Sequence, residues 1–294
     1  MPKVLISTEN MPYQTWLEWR RKGIGGSDAS IICGVNKYKS PIELWMEKTD
    51  QIPHQQAGEA AYWGTQLESI IRTEFTKRTD IKVTQLNQIT QHDEYPFMLA
   101  NLDGICTHTT YGECIFEAKT ASAYKINEWE SGIPDEYMLQ IQHYISVMNY
   151  GGAFVAVLIG GNTFKWQFIQ RDDELIAMLI ELESEFWRCV QTNVPPKIDG
   201  SDASAKFLNE RFPSSIPHSK IMLPKEAVDL IIKYKSADKK AKEFIAEKQF
   251  AENSLKEMLG ENEIGETQTH IVLWKSTQSS TRKSTRRFSI KTAI

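Results

Sequence analysis

The sequence predicts an α/β fold in which a mixed central sheet is flanked by helices, followed by a C-terminal helical extension. Apolar residues first recur at helical spacing, and from Ile81 onward short β-branched or aromatic runs separated by turns replace them. A long charged run without Gly or Pro, Lys225 to Leu259, follows a proline-rich stretch and indicates a helical arm or a hairpin of two helices. Helices that alternate with strands in this order are typical of layers packed on a sheet.

Size and composition set broad limits on the protein. A chain of 294 residues is long enough for one large domain, or for one domain and a smaller appendage. The net charge of −4 argues against nucleic-acid binding over the whole surface but is compatible with a local basic channel. No apolar run approaches the roughly 20 residues of a membrane span, and no signal peptide is evident, so we expect a cytoplasmic protein. The four scattered cysteines are expected to be free thiols.

A glycine-rich turn near the N-terminus is a candidate anion site. A helix over Met11 to Lys22 ends in a basic cluster, and the turn from Gly23 to Asp28 then leads into an apolar helix, Ala29 to Cys33, that Ser27 or Asp28 can cap. Backbone N–H groups at such a helix start suit a phosphate, and the upstream cations can complete the pocket: Arg20, Arg21 and Lys22. A plain turn with an N-cap is the alternative.

Two further helices precede the strands. Pro41 to Lys48 has proline in its first turn, and Gln56 to Thr79 carries an apolar stripe at helical spacing: Ala60, Trp63, Leu67, Ile70, Ile71 and Phe75. Glu68 lies beside this stripe. A glutamate in that position is either solvent-facing, salt-bridged or part of a site.

The middle of the chain reads as strands followed by helices and a hairpin. The predicted strands are Lys82 to Leu86, Phe97 to Asp103, Glu113 to Lys119, Ala153 to Ile159 and Phe164 to Gln170. The predicted helices are Ala123 to Glu130, Asp135 to Asn149, and one from Asp172 to about Val190.

The chain is predicted to divide into a catalytic domain, 1–198, a linker, 199–222, and a helical arm, 223–294. The linker is rich in proline and serine and holds one short helix near Ala205 to Arg211. The arm ends in a strand, Gly265 to Trp274, and a basic tail that either contacts a DNA backbone or is merely solvated: Arg282, Lys283, Arg286 and Arg287.

Asp103 and the run Glu117-Ala118-Lys119 form the central pattern of the sequence. Glu117 and Lys119 share one strand face, and Asp103 can meet them from a neighbouring strand. Buried charges are costly unless they are paired or bind metal, whereas carboxylates suit a hard divalent cation. We therefore predict a metal held by Asp103, Glu117 and the Ala118 carbonyl, with Lys119 orienting or helping to deprotonate the attacking water. Glu68 can hold a second metal or its water. The alternative is an ion pair of Lys119 with either carboxylate.

These residues resemble the PD-(D/E)XK nuclease superfamily and, more narrowly, the YqaJ-type phage recombinases, the family of lambda exonuclease. Three further segments carry the resemblance from about residue 13 to residue 170, in the family's order. They are Trp16-Leu-Glu-Trp-Arg20 with Gly23-Ile-Gly-Gly-Ser27-Asp28, then Trp63-Gly-Thr-Gln-Leu-Glu68, and then Tyr137-Met-Leu-Gln140-Ile-Gln142-His-Tyr144.

The resemblance implies a PD-(D/E)XK nuclease fold and an Mg²⁺-dependent 5′→3′ exonuclease on linear double-stranded DNA, in which Mn²⁺ substitutes for Mg²⁺. It implies 3′ overhangs for a single-strand annealing partner in phage-type recombination, inside a bacterial or phage-infected host cell. Arg20 and Ser27 then hold the 5′-phosphate, with Arg21 or Lys22 sharing the task. Gln140 becomes an active-site residue near the metal or water, and Tyr137 a lesser candidate. Ring-shaped homotrimers are also implied.

Other readings remain open at this stage. A site-specific DNA endonuclease of the same fold is one, although a phosphate pocket argues against it. A non-catalytic DNA-binding recombination scaffold is another, although the presence of Glu68, Asp103, Glu117 and Lys119 argues against it. A nuclease with an iron–sulfur cluster is disfavoured because the cysteines are not grouped.

Overall fold

The computed structural model describes residues 2–53, 58–277 and 285–292. The chain divides into two compact units, residues 1–215 and 216–294. The strands of the first unit are β1 (Lys3–Ser7), β2 (Ile24–Gly25), β3 (Gln88–Gln91), β4 (Met98–Asn101), β5 (Gly104–His108), β6 (Gly112–Ala121), β7 (Gly152–Ile159) and β8 (Thr163–Gln170). Its α-helices are α1 (Tyr13–Arg21), α2 (Gly26–Ile32), α3 (Pro41–Lys48), α4 (Glu59–Thr79), α5 (Asp135–Met148), α6 (Asp173–Thr192) and α7 (Asp202–Arg211).

Two sheets organise the described part of the first unit. One has the order β1-β3-β4-β2, with β2 parallel to β4. The other has the order β5-β6-β7-β8 and is mixed, because β6 and β7 are parallel while the outer pairs are antiparallel. The chain passes from the first sheet to the second at Leu102 and Asp103, between β4 and β5. The predicted mixed sheet flanked by helices is thus confirmed.

The core lies where α5 packs against the sheets. Every residue of α5 from Leu139 to Met148 is buried, and its apolar side chains pack with those of β4, β6 and β7. Such a helix is apolar nearly all round because neighbours cover each of its faces. Behind the mixed sheet, Ile71 and Phe75 of α4 pack with Phe116 and Phe154.

Helix boundaries follow local chemistry. α3 begins with a capping box, in which Ser40 Oγ accepts from Glu43 N and Glu43 Oε2 accepts from Ser40 N, and Pro41 occupies its first position. α2 begins earlier than predicted, at Gly26. Its cap is Gly25 rather than Ser27 or Asp28, and the Asp28 carboxylate accepts from Gly25 N at 3.0 Å.

Several predictions of local structure are wrong. The segment predicted as a strand over Lys82 to Leu86 makes a single bridge, Thr84 to Ile105, and the strand lies at Gln88–Gln91 instead. The helix predicted over Ala123 to Glu130 is present, but it is a 3-10 helix, Ala123–Trp129. On α4, Trp63 and Ile70 are exposed rather than part of the apolar stripe, since the sheet covers only the side of α4 that carries Ile71 and Phe75. The predicted linker, 199–222, is not wholly exposed, because its helix α7 buries Ala203 and Phe207.

The second unit contains one long helix and a sheet within its described residues. Helix α8 (Glu226–Leu259) runs unbroken for 34 residues and is followed by β9 (Ile264–Glu266), β10 (His270–Thr277) and β11 (Thr285–Thr292), in the order β11-β10-β9. Arg286 lies in β11 rather than in a solvated tail: its guanidinium stacks 3.6 Å from the Trp274 ring centroid and donates to the Trp274 carbonyl. Arg282 and Lys283 lie outside the described residues.

The helices and the cysteines can be compared with what the sequence predicted. None of the helices in the described ranges has the length and apolar character that a membrane crossing needs. The cysteines are free thiols, as expected, with Cys106 and Cys114 buried on neighbouring strands and Cys33 and Cys189 half-buried.

Candidate active site

Asp103 occupies the short passage between β4 and β5. Its Oδ2 accepts a hydrogen bond of 2.8 Å from Ala118 N on β6, and its backbone oxygen accepts one of 2.9 Å from Arg72 of α4. The next residue must be small, because a Cβ at Gly104 would lie 2.7 Å from Val83 Cγ1 and 3.0 Å from the Thr84 oxygen. This close approach fixes the Asp103 carboxylate over β6.

Glu117 and Lys119 point to the same side of β6, as their spacing of two requires. Lys119 Nζ donates to Glu117 Oε1 at 2.8 Å and to Gln140 Oε1 of α5 at 2.9 Å. The amide group of Gln140 donates in turn to Glu117 Oε1 at 2.8 Å and to the hydroxyl of Tyr144 at 3.3 Å. The three polar groups therefore hold one another in a fixed arrangement, and the ion pair considered as the alternative is part of it.

The second carboxylate oxygen of Glu117 stands apart from this network. Glu117 Oε2 is buried and accepts no hydrogen bond from the described residues. A buried carboxylate oxygen without a partner is costly. It is the kind of atom that a cation completes.

Burial and mutual repulsion keep protons on the carboxyl groups of this region. Burial and the nearby Asp103 carboxylate raise the pKa of Glu117 to about 8. The same two causes raise the pKa of Glu68 to about 7. Burial also raises the pKa of Asp103, against the attraction of Lys119. Ionising these groups together therefore requires added positive charge.

The carboxylates of this region suit a magnesium ion whose remaining ligands are water and substrate oxygens. No group of three or more His, Cys, Asp or Glu side chains in the described ranges is arranged to hold a metal by itself. Mg²⁺ is usually bound by one or two carboxylates, with water and substrate phosphate oxygens completing its coordination. Asp103 and Glu117 supply those carboxylates. Metal binding by the Ala118 carbonyl stays a prediction. The backbone N–H of Ala118 donates to the Asp103 carboxylate.

Glu68 reaches this region from α4 by way of Arg72. Arg72 Nη1 lies 3.9 Å from Glu68 Oε1 and also donates to the Asp103 backbone. Arg72 thus lies between Glu68 and the backbone of Asp103, a contact that the sequence pattern did not reveal. Burial and the Asp103 carboxylate raise the pKa of Glu68. Its predicted contact with a second metal stays a prediction.

The glycine-rich turn presents Arg20 and Ser27 side by side. Arg20 Nη2 donates to Ser27 Oγ at 2.8 Å and lies 3.1 Å from Asp28 Oδ1. The Arg20 guanidinium also stacks over the Trp16 ring, 5.0 Å from its centroid. A guanidinium and a hydroxyl at the start of α2 are a suitable environment for a phosphate.

A buried lysine that the sequence motifs did not single out, Lys48, holds the backbone of the glycine-rich turn in place. Lys48 Nζ lies 2.7 Å from Asp28 Oδ2 and donates to the backbone oxygens of Arg20 and Gly23 at 2.8 and 2.7 Å. Burial alone would raise the pKa of Asp28, but Lys48 and Arg20 outweigh it and hold that pKa well below its usual range. Lys48 and Arg20 together place two positive charges against the single negative charge of Asp28, so this cluster carries a net positive charge.

One cavity of about 200 Å³ joins the turn to the carboxylates. Its lining includes Arg20, Gly26 and Ser27 from the turn and, from the cluster around β6, Asp103, Glu117, Gln140 and Tyr144. The parallel pairing of β2 with β4 causes this proximity, because it places Gly25 beside Leu99, four residues before Asp103. The sequence separates Ser27 from Asp103 by more than seventy residues.

Comparison with known proteins identifies the domain that carries this cavity. Residues 15–151 match the family described as the YqaJ-like viral recombinase domain. The uncharacterized protein YqaJ of Bacillus subtilis is 48% identical to this chain over 216 residues, which cover 71% of this chain and 66% of that protein. This chain belongs to the YqaJ-type recombinase family.

Solved structures agree on the fold of the YqaJ-like domain. An alkaline exonuclease from Laribacter hongkongensis, LHK-Exo, superposes with a TM-score of 0.52 at 20% identity, covering 67% of this chain and 97% of that one. The same protein in complex with dAMP gives the same values. These similarities confirm the nuclease fold that the motifs predicted.

Three other candidate residues of the YqaJ-like domain make contacts outside the pocket. Arg21 pairs with Asp50 at 2.8 Å, and Lys22 stacks on Trp19 with its Nζ 3.7 Å from the ring centroid. The ring of Tyr137 lies against Lys119, with the Lys119 Nζ 4.9 Å from its centroid. Tyr137 therefore belongs with the carboxylate cluster, whereas Arg21 and Lys22 lie at the surface of α1.

A second buried pair links α5 to α6 and β4. His143 Nδ1 lies 2.9 and 3.0 Å from the two oxygens of Glu183 on α6, and His143 Nε2 lies 3.0 Å from the Leu99 oxygen on β4. Both side chains are fully buried. This link fixes α5 relative to β4 and so fixes Gln140 relative to the cavity. The helical period alone gave no reason to single out His143.

Proposed function

We propose that this chain is an Mg²⁺-dependent exonuclease that degrades linear double-stranded DNA from its 5′ ends. The observation that carries this proposal is the single cavity between the Arg20–Ser27 pair and the Asp103–Glu117–Gln140 cluster. A phosphate site and carboxylates that share one cavity suit the end of a strand, because an internal phosphate carries a further nucleotide on its 5′ side. Family membership supports the same activity.

In this proposal one pair of residues binds the 5′-phosphate and another pair holds the metal. Arg20 and Ser27 hold the terminal 5′-phosphate and place the next phosphodiester against Asp103 and Glu117. These two carboxylates would hold the metal, which when bound polarises the scissile phosphate and lowers the pKa of the attacking water. Water adds to phosphorus and the bond to the 3′ oxygen breaks, so a 5′-mononucleotide leaves with a 3′ hydroxyl. The opposite strand remains as a 3′ overhang.

The carboxylates beside Lys119 favour its charged form. Burial lowers its pKa, but Glu117 and Asp103 outweigh burial and raise that pKa above its usual value. As an ammonium group, Lys119 would orient the nucleophile and stabilise negative charge. Gln140 accepts from Lys119 and donates to Glu117, which holds both charges in place.

The remaining parts of the proposal concern partners and assembly. The 3′ overhang would be the substrate of a single-strand annealing protein in phage-type recombination. Homotrimeric rings around DNA, Mn²⁺ as a substitute for Mg²⁺, and a catalytic domain ending near residue 198 belong to the same proposal. The matched family, described as a viral recombinase domain, supports the role in recombination.

Digestion of a linear duplex tests the activity directly. Wild type with Mg²⁺ should remove the strand that bears a 5′-phosphate and spare the same strand with a 5′-hydroxyl. Lys119→Met should lose the activity, whereas Lys77→Met, which removes an exposed ammonium from α4, should retain it. Cleavage of closed circular DNA would support an endonuclease instead, and binding without cleavage would support a scaffold.

A further inference from the structure

Helix α8 exposes large apolar side chains along most of its length. Its 34 residues span about 51 Å at 1.5 Å per residue. Leu230, Tyr234, Phe244 and Met258 are between 66% and 80% exposed. Exposed apolar surface on this scale marks an interaction site.

These four side chains fall on a seven-residue repeat, and the other exposed large apolar side chains of α8 lie beside it: Val228, Ile231, Ile232, Ile245 and Phe250. With Ala227 as the first a position, every a and d position except Lys248 is apolar. The a positions are Ala227, Tyr234, Ala241, Lys248 and Leu255, and the d positions are Leu230, Ala237, Phe244, Ala251 and Met258. A repeat sustained over five heptads is typical of a helix that pairs with another helix in a coiled coil.

The order of small and large residues decides which partner fits. If two copies of α8 paired in parallel, Lys248 would meet Lys248, Tyr234 would meet Tyr234, and alanine would face alanine. If they pair antiparallel about a point between Lys242 and Glu243, four of the five layers join a large residue to alanine and the fifth joins two leucines. The layers are then Ala227 with Met258, Leu230 with Leu255, Tyr234 with Ala251, Ala237 with Lys248, and Ala241 with Phe244. Such alternation fills a helix interface without voids.

The charges agree with the antiparallel arrangement. Lys248 faces an alanine, so its ammonium can extend to solvent along the edge of the seam. The g positions of antiparallel helices face each other, and this register brings Lys240 of one copy beside Glu247 of the other. Twofold symmetry forms that pair twice.

We propose that α8 pairs antiparallel with α8 of a second copy of this chain, in the register centred between Lys242 and Glu243. The proposal is independent of the nuclease activity. The pairing has twofold symmetry, so it doubles whatever assembly the rest of the chain forms.

Solution mass of the full-length chain tests the pairing. Wild type should have twice the mass of Phe244→Glu, because the substitution places a charge at the central layer. Phe250→Glu is the matched control: Phe250 is also exposed, at 74%, but occupies a c position outside the seam. It should keep the wild-type mass. Equal masses for wild type and Phe244→Glu would overturn the proposal, as would halving by both variants.

Cysteine cross-linking tests the direction and register. Chains with Tyr234→Cys mixed with chains with Ala251→Cys should form a disulfide-linked pair, since these positions share a layer. Either variant alone should give only the wild-type background, because its two new thiols would lie about 26 Å apart along the axis. Self-linking by each variant alone would establish a parallel pair. Absence of any new link would leave α8 free for a different protein and would overturn self-pairing.

Discussion

Gly26 begins α2 and lies against α5, and replacing it with alanine should damage the candidate site. A Cβ there would lie 2.5 Å from Tyr144 Cε1, 2.7 Å from Tyr144 Cζ and 3.0 Å from Gln140 Cγ. Favourable contacts between carbon atoms are about 3.5–4.0 Å, so the Tyr144 ring must move by about 1 Å. Gly26 has an ordinary helical backbone, and the conflict is therefore one of space.

The structure sets the size of the effect. Tyr144 is only 7% exposed and accepts a hydrogen bond from Gln140, so its ring cannot swing into solvent without loss. Overpacking at a buried position costs about 1–3 kcal/mol of folding free energy. A shift of about 1 Å at Gln140, which positions Glu117 and Lys119, should lower the cleavage rate about 100-fold.

Gly25→Ala is the matched control for this prediction. The nearest atom to a Cβ at Gly25 is Arg20 Nη2 at 3.7 Å, and its φ of −94° suits alanine. Chemical denaturation and the initial rate of digestion of 5′-phosphorylated duplex should show a loss for Gly26→Ala and near wild-type values for Gly25→Ala. Equal behaviour of the two variants would refute the assignment of Tyr144 and Gln140 to a rigid, packed site.

Three further predictions concern the buried charges. Lys48→Met should lower the free energy of unfolding by about 3 kcal/mol, because it leaves Asp28 buried with less compensation, and adding Asp28→Asn should recover part of the loss in urea denaturation. Without metal, Glu117→Gln should melt at a higher temperature than wild type at pH 9, and the difference should shrink steadily as pH falls towards 4.5. The pKa of Glu117 is raised from 4.5 to about 8 in the folded protein, so this carboxyl contributes less stability as pH rises from 4.5 to about 8. A Glu117→Gln variant that melts below wild type at pH 9 would contradict this. The cleavage rate should rise with pH through about 7 to 8 as Glu68 and Glu117 lose protons, and more Mg²⁺ should move the rise to lower pH; a profile indifferent to Mg²⁺ would argue against metal binding here.

Local patterns in the sequence predicted much of the fold. The helical period and the capping residues placed α3, α5 and α6 within a few residues of their observed bounds. The alternation along Glu113 to Lys119 put Glu117 and Lys119 on one face of β6, since the side-chain period of a strand is fixed by its backbone. The prediction was wrong over Lys82 to Leu86. This segment has β-forming residues, but it makes a single bridge, because a strand also needs a partner along its whole length.

The sequence by itself determined the elements, the carboxylate pattern on β6 and the family, because these depend on residues close together in the chain. Only the tertiary structure decided how the site is built. The ion pair of Lys48 with Asp28, the link from His143 to Glu183 and the contact of Gly26 with Tyr144 join residues 20 to 118 positions apart. Such contacts depend on how helices and sheets pack, and no local period encodes that packing. The pairing of β2 with β4 is the contact that turned two separate motifs into one cavity.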